Sequence, residues 1–191
     1  MKKVMALDLD DVLFNFTQAS IDFYNSRFGT ELSMNDFIRY HLSEVINITR
    51  EEELRRVRLF FEECYDEIRP FEEAKRAVPI IARNYSLVVI TARPHYSHRK
   101  TLESVRMHFP EVEDVIFINN GIEKRKKSDM CMEIGTKIIV EDRLDYALDC
   151  SHEGIGVFLF DYPWNRGERN LPRNIKRVYS WDNVLKELNL F

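Results

Sequence analysis

The sequence predicts an α/β fold: a doubly wound, mainly parallel five-stranded sheet with a small helical cap. Three observations carry this reading. Five short apolar runs alternate with stretches of helical spacing, the order that builds a parallel sheet covered on both faces. Three of the runs stop abruptly at polar residues. Between Phe14 and Phe71 no buried strand occurs, although apolar residues recur there at helical spacing.

The elements follow in order. Val4-Met5-Ala6-Leu7 is an apolar run ending at Asp8, as expected of a strand buried on both faces. Phe16, Ile21, Phe23, Tyr24 and Phe28 then mark a helix that Gly29 is placed to stop. Thr49 followed by Glu52 forms a capping-box pattern, opening a helix over 50–66 with Leu54, Val57, Leu59, Phe60, Phe61 and Tyr65 on its apolar side. Pro70 separates this helix from the next, Ala74 to Arg83. Leu87–Ile90 is the second strand, ending at Thr91, and Val115–Ile118 the third. Ile138–Val140 is the fourth, ending at Glu141-Asp142, and Val157–Phe160 the fifth. The expected division is a core of 1–13 and 74–191, with 14–73 as a helical cap inserted after the first strand. There is no internal repeat and no low-complexity tract.

Composition narrows the function. With 45% hydrophobic and 12% aromatic residues in 191, the chain can bury a core of its own. A net charge of -4 offers no global field for a nucleic-acid duplex, so an anionic ligand needs a local site. Cys64, Cys131 and Cys150 form no CxxC pattern, which argues against a disulfide framework or a zinc knuckle and for a reducing compartment. The first residues are too short an apolar stretch for a signal peptide or spanning helix. A cytoplasmic protein without membrane contact is expected, and a homodimer is allowed.

In open parallel sheets ligands sit outside the carboxyl ends of the strands, so the polar strand ends should converge. Asp8-Leu9-Asp10-Asp11 places carboxylates where a cation must compensate them. A pair two residues apart can divide the labour of phosphoryl transfer, Asp8 as nucleophile and Asp10 as acid and base. Thr91-Ala92-Arg93-Pro94 offers a hydroxyl and free N–H groups near a helix start, a phosphate seat. In the run Lys124-Arg125-Lys126-Lys127 one lysine would face the phosphate, Lys127 or alternatively Lys126. Asp142 would bind Mg²⁺ directly and Glu141 through water. Taken singly, these segments read equally as an acidic turn, a helix cap, a solvated loop and a surface pair. His95 and His98, three apart with no third ligand following, are expected on a solvated helix face.

Asp8-Leu9-Asp10, Thr91, Lys127 and Glu141-Asp142, in that order, resemble the four motifs of the haloacid dehalogenase superfamily of phosphohydrolases. Ile90-Thr91-Ala92-Arg93-Pro94, Val140-Glu141-Asp142-Arg143 with Asp145 and Ala147, and Leu159 through Arg166 look like the 5′(3′)-deoxyribonucleotidase family. The resemblance implies nucleoside monophosphate substrates and an aspartyl-phosphate intermediate. It also implies Mg²⁺ held by Asp8, the Asp10 backbone carbonyl and Asp142, and phosphate contacted by Thr91, Ala92 and the lysine. Asp11 stands where the family usually has glycine, and the cap is the part that matches least. A sugar phosphatase would use the same core. A non-catalytic phospho-acceptor module would not need Asp10.

Overall fold

The computed structural model describes residues 2–38, 42–119 and 125–190; Lys124 of the basic run lies outside them. The sheet comprises β1 (Lys3–Leu7), β2 (Tyr85–Thr91), β3 (Val112–Phe117), β4 (Ile138–Glu141), β5 (Gly156–Phe160) and β6 (Ile175–Val178). Their order is β3-β2-β1-β4-β5-β6, and every pairing is parallel. The expected five strands are therefore six. The sixth, Ile-Lys-Arg-Val, lies at a sheet edge and buries only its terminal residues. Charged residues of this kind protect an edge, and they conceal it from a search for continuous apolar runs.

Alternation along the strands divides the core. Met5, Leu7, Leu87 and Val89 belong to one buried cluster with Trp181 and Val184, whereas Ala6, Val88, Ile90 and Ile139 pack with Met130, Cys131, Ala147 and Cys150. The helices supplying these partners are α4 (Glu72–Ala82), α5 (His98–His108), α6 (Lys127–Glu133), α7 (Leu144–His152) and α8 (Trp181–Glu187). Chain direction across the sheet reverses beside β1: β2 and β3 lie to one side, β4 to β6 to the other. Leu7 is in register with both Val89 and Val140, and the Asp8 N–H donates to the Val140 carbonyl at 2.9 Å. Asp8, Thr91 and Glu141-Asp142 consequently emerge side by side at the switch point.

Between β1 and β2 lie α1 (Phe16–Phe28), α2 (Leu42–Ile46) and α3 (Arg50–Glu63). Gly29 ends α1 at φ 65°, a conformation that a side chain would strain. The Thr49 hydroxyl accepts from the Glu52 N–H at 3.1 Å, but the Glu52 carboxylate binds Arg55 and Arg56 instead of completing the box. Helix α3 stops at Glu63, short of the expected residue 66, and a 3-10 turn over Tyr65–Glu67 follows. Phe16, Phe23, Phe60 and Phe61 pack together as the aromatic centre of this insert. Leu54 departs from the expected apolar side: it is 55% exposed and borders the cavity described below. Among the described residues no helix is long and apolar enough to cross a membrane.

Candidate active site

The nucleophile candidate sits at a sharp turn. After Asp8 the chain makes a single tight turn in which the N–H groups of Leu13 and Phe14 both donate to the Leu9 carbonyl, at 2.9 and 3.0 Å. Asp11 occupies that turn at φ 56°, a left-handed conformation that Asp tolerates better than most residues. Its carboxylate accepts from the Thr17 N–H at 3.0 Å and the Thr17 hydroxyl at 2.5 Å. Asp11 thus takes the place of a glycine and also supplies an acceptor to the first turn of α1, where the N-cap residue Asn15 makes no side-chain cap.

Behind Asp8 lies a buried cation. The Lys127 ammonium donates to Asp8 Oδ1 at 2.6 Å and to Glu141 Oε1 at 2.5 Å, and the lysine is wholly buried. Lys126 is mostly exposed, 4.0 Å from Asp149, so of the two alternates it is Lys127 that reaches Asp8. Burial works against the Lys127 charge, but Asp8 and Glu141 outweigh it and raise the pKa.

Glu141, expected to reach metal through water, also anchors the protein around it. Its second oxygen accepts from the N–H groups of Asp142 at 2.7 Å and Arg143 at 3.0 Å, so both oxygens are engaged in holding the lysine and the turn. Asp142 is tied from the other side: the Trp164 indole donates to its Oδ2 at 3.0 Å, and Asn165 donates to its carbonyl at 2.7 Å. One carboxylate oxygen from each of Asp8, Glu141 and Asp142 lies within 4.8 Å of the others. Burial first, then Glu141, Asp8 and Asp11, push the Asp142 carboxyl well above its ordinary range. Such a crowd of buried hard oxygen donors around one ammonium suits a divalent cation such as Mg²⁺.

Asp10 faces a different partner. Arg93 donates from Nε to both Asp10 oxygens, at 3.0 and 3.1 Å, and from Nη2 to Oδ1 at 2.6 Å. Burial raises the Asp10 carboxyl, with Arg93 opposing. Asp8, Asp10, Asp11, Thr91, Ala92, Arg93 and Asp142 all line one cavity of about 500 Å³, within the size range of small-molecule sites. Its far wall comes largely from the insert and is mixed: Phe37, Leu42, Leu54, Val57 and Phe61 form an apolar patch, with Tyr96 from the core, while Ser20, Arg50 and Glu53 add polar groups.

The predicted residues therefore converge, except that Lys127 lies behind Asp8, outside the cavity lining. Of the histidines, His95 is exposed, but His98 corrects the expectation of a solvated face: its ring stacks on Phe117 at 3.6 Å and Nε2 lies 3.2 Å from the Arg93 carbonyl. Arg93 and Trp164 were not assigned roles by sequence reasoning. Arg93 follows Thr91 at the same strand end, and that position was the available signal.

The family model described as "5' nucleotidase, deoxy (Pyrimidine), cytosolic type C protein" matches residues 2–189. A nucleotidase from Clostridium acetobutylicum is 27% identical over 164 residues, covering 86% of this chain and 82% of that protein. A haloacid dehalogenase-like hydrolase from Streptococcus pneumoniae superposes with a TM-score of 0.69 at 13% identity over 98% of both chains. The Bacillus subtilis protein YfnB, in a crystal structure bound to magnesium, superposes at 0.65 with 14% identity over 98% of this chain and 99% of that one. At these identities the structural matches speak for the fold.

Proposed function

The chain belongs to the cytosolic type C 5′-nucleotidase family, and we propose that it hydrolyses nucleoside monophosphates through an aspartyl-phosphate on Asp8. The observation that carries this reading is the placement of Asp8. It lies at a buried strand end, gripped by Lys127 and beside Asp142, with Asp10 two residues on in the same cavity. The insert, residues 14–73, serves as the cap.

An Asp8 oxygen attacks phosphorus and the bond to the ester oxygen breaks, while Asp10 delivers its proton to that leaving oxygen. Asp10 then takes a proton from water, whose oxygen attacks phosphorus and releases Asp8 and inorganic phosphate. Thr91 and the backbone of Ala92 seat the phosphate, and Lys127 neutralises Asp8 and holds it in line. Asp8 and Asp142, with the Asp10 carbonyl, would hold Mg²⁺, which when bound offsets the charge on the phosphate oxygens. The apolar patch of Phe37, Leu42, Leu54, Val57 and Phe61 favours a base over a bare sugar phosphate.

The test is phosphate release from deoxy- and ribonucleoside monophosphates and from sugar phosphates, with Mg²⁺ and with chelator. Asp8→Asn is expected to keep its circular dichroism spectrum and lose turnover to background. Turnover retained in that variant would end the aspartyl mechanism, and faster turnover of sugar phosphates would end the nucleotide assignment.

A further inference from the structure

We infer that Arg93 is the positioning residue for Asp10 and that Tyr65, from the insert, positions Arg93, so that the acid/base of the reaction is aligned from the cap side. This inference rests on the phosphatase reading above.

Arg93 is 3% exposed and its guanidinium is committed in two directions. Toward the reaction centre it grips the Asp10 carboxylate through Nε and Nη2. Away from it, Nη1 donates to the Tyr65 hydroxyl at 2.8 Å and to Thr101 Oγ1 at 3.3 Å, and the Tyr65 hydroxyl donates onward to Thr101 at 3.2 Å. The rings of Phe14, Phe61 and Tyr65 surround the guanidinium carbon at 5.7, 5.7 and 5.5 Å. Phe61 and Tyr65 belong to the segment between β1 and β2, Arg93 and Thr101 to the region after β2. The cluster therefore joins insert to core at the carboxylate that must move a proton.

An ion pair between buried Arg93 and Asp10, whose side chain is 25% exposed, adds little to stability, so its presence beside the cavity calls for another reason. General acid catalysis supplies one, because the carboxyl must lie within about 2.6–3.2 Å of the leaving oxygen. Asp10 stands on a turn and would otherwise rotate about its side-chain bonds. Oδ1 receives the two shortest contacts from Arg93, whereas Oδ2 receives only the contact at 3.1 Å. Oδ2 thereby retains acceptor capacity for the proton transfer. A planar two-pronged donor fixes carboxylate orientation in a way that an ammonium does not.

A group that aligns the general acid matters when the leaving group needs a proton and little when it leaves as a stabilised anion. The experiment compares a nucleoside 5′-monophosphate with p-nitrophenyl phosphate, in Mg²⁺, for wild type, Asp10→Asn, Arg93→Lys and Tyr65→Phe. With Arg93→Lys, kcat/KM, which reports the steps up to departure of the leaving group and not the later attack of water, is expected to fall about 100-fold on the nucleotide and less than about threefold on p-nitrophenyl phosphate. Tyr65→Phe, which removes one hydroxyl, should shift the ratio of the two rates in the same direction by about fivefold. Equal falls in kcat/KM for both substrates in Arg93→Lys would overturn the positioning role, leaving a merely structural pair. A wild-type ratio in Tyr65→Phe would overturn the link to the insert, and that variant decides the matter alone if Arg93→Lys does not fold. Asp10→Asn separates the two levels: a split there without one in Arg93→Lys ends this inference only, and no split in Asp10→Asn ends the acid/base assignment beneath it.

Discussion

The two sides of the cavity are made of opposite materials. On the core side every carboxylate has a named donor, namely Lys127 for Asp8 and Glu141, Arg93 for Asp10, Thr17 of the insert for Asp11, Trp164 for Asp142 and Arg143 for Asp145. On the insert side the wall holds an apolar patch with aromatic rings packed behind it, and its charges, Arg50 and Glu53, pair with each other. Hydrogen-bonded charge fixes atoms to tenths of an ångström, as bond-making at phosphorus requires. Apolar packing specifies shape and size but tolerates variation. Under the proposed mechanism, chemistry resides in strand ends that the sheet register aligns, and selectivity in a wall that can change without disturbing them. The two sides meet at the Arg93–Tyr65 contact and at the Asp11–Thr17 hydrogen bonds.

The largest break in this comparison comes from removing the buried cation. Lys127→Met leaves Asp8 and Glu141 facing each other unpaired, which should cost about 3–5 kcal/mol of stability in metal-free protein. It should also lower kcat about 100- to 1,000-fold. Thermal unfolding with and without Mg²⁺ checks the first effect, and added Mg²⁺ should recover part of the loss. An unchanged melting temperature would mean that the cluster is not held together by charge.

The next effect is smaller because it acts through a neighbour. Trp164 stacks flat on Tyr162, 4.5 Å between centroids, and aims its N–H at the Asp142 carboxylate. Trp164→Phe retains the ring and loses the donor. Mg²⁺ affinity measured by calorimetry should fall about tenfold, with the melting temperature of the metal-free protein little changed. Undiminished affinity would separate Trp164 from the metal site.

The contrast between the two sides also explains what could be read from sequence. The runs ending at Asp8, Thr91 and Glu141-Asp142 were legible because a fully buried strand has a strong local signature and its polar stop is abrupt. Asp11 was legible as an oddity, and its positive φ bears out the reason for noticing it. Edge strand β6 was hidden because Lys176 and Arg177 interrupt its apolar pattern. Arg93 lacked a role because Asp10 lies 83 residues away in the chain, a pairing that only the sheet creates. Leu54 looked like core because helical periodicity cannot distinguish a buried face from a cavity wall.

On the insert side, Leu54→Ala trims an apolar contact without touching a charge. It should raise KM for the nucleotide about threefold at unchanged kcat, as expected from removing a partly covered side chain. Ribose 5-phosphate should show no difference. A matching rise for the sugar phosphate would place Leu54 against the sugar and not the base.

The smallest effect tests the core side through pH. Asp11 carries its charge in a buried turn: burial, opposed by the Thr17 hydrogen bonds and aided by Asp10 and Asp8, raises its carboxyl from 3.8 to about 7. Between those values the folded chain holds a proton that the unfolded chain has released, so this group's contribution to stability is lost as pH rises through that window. Asn tolerates the same left-handed turn and cannot titrate. The melting temperature of Asp11→Asn relative to wild type, in metal-free buffer, should therefore climb from about pH 4 to about pH 7 and level off above it. Mg²⁺ bound at Asp8 would reduce the repulsion that Asp11 feels and narrow the difference. Parallel pH profiles for the two proteins would show that Asp11 is ionised throughout, its charge absorbed by Thr17 alone.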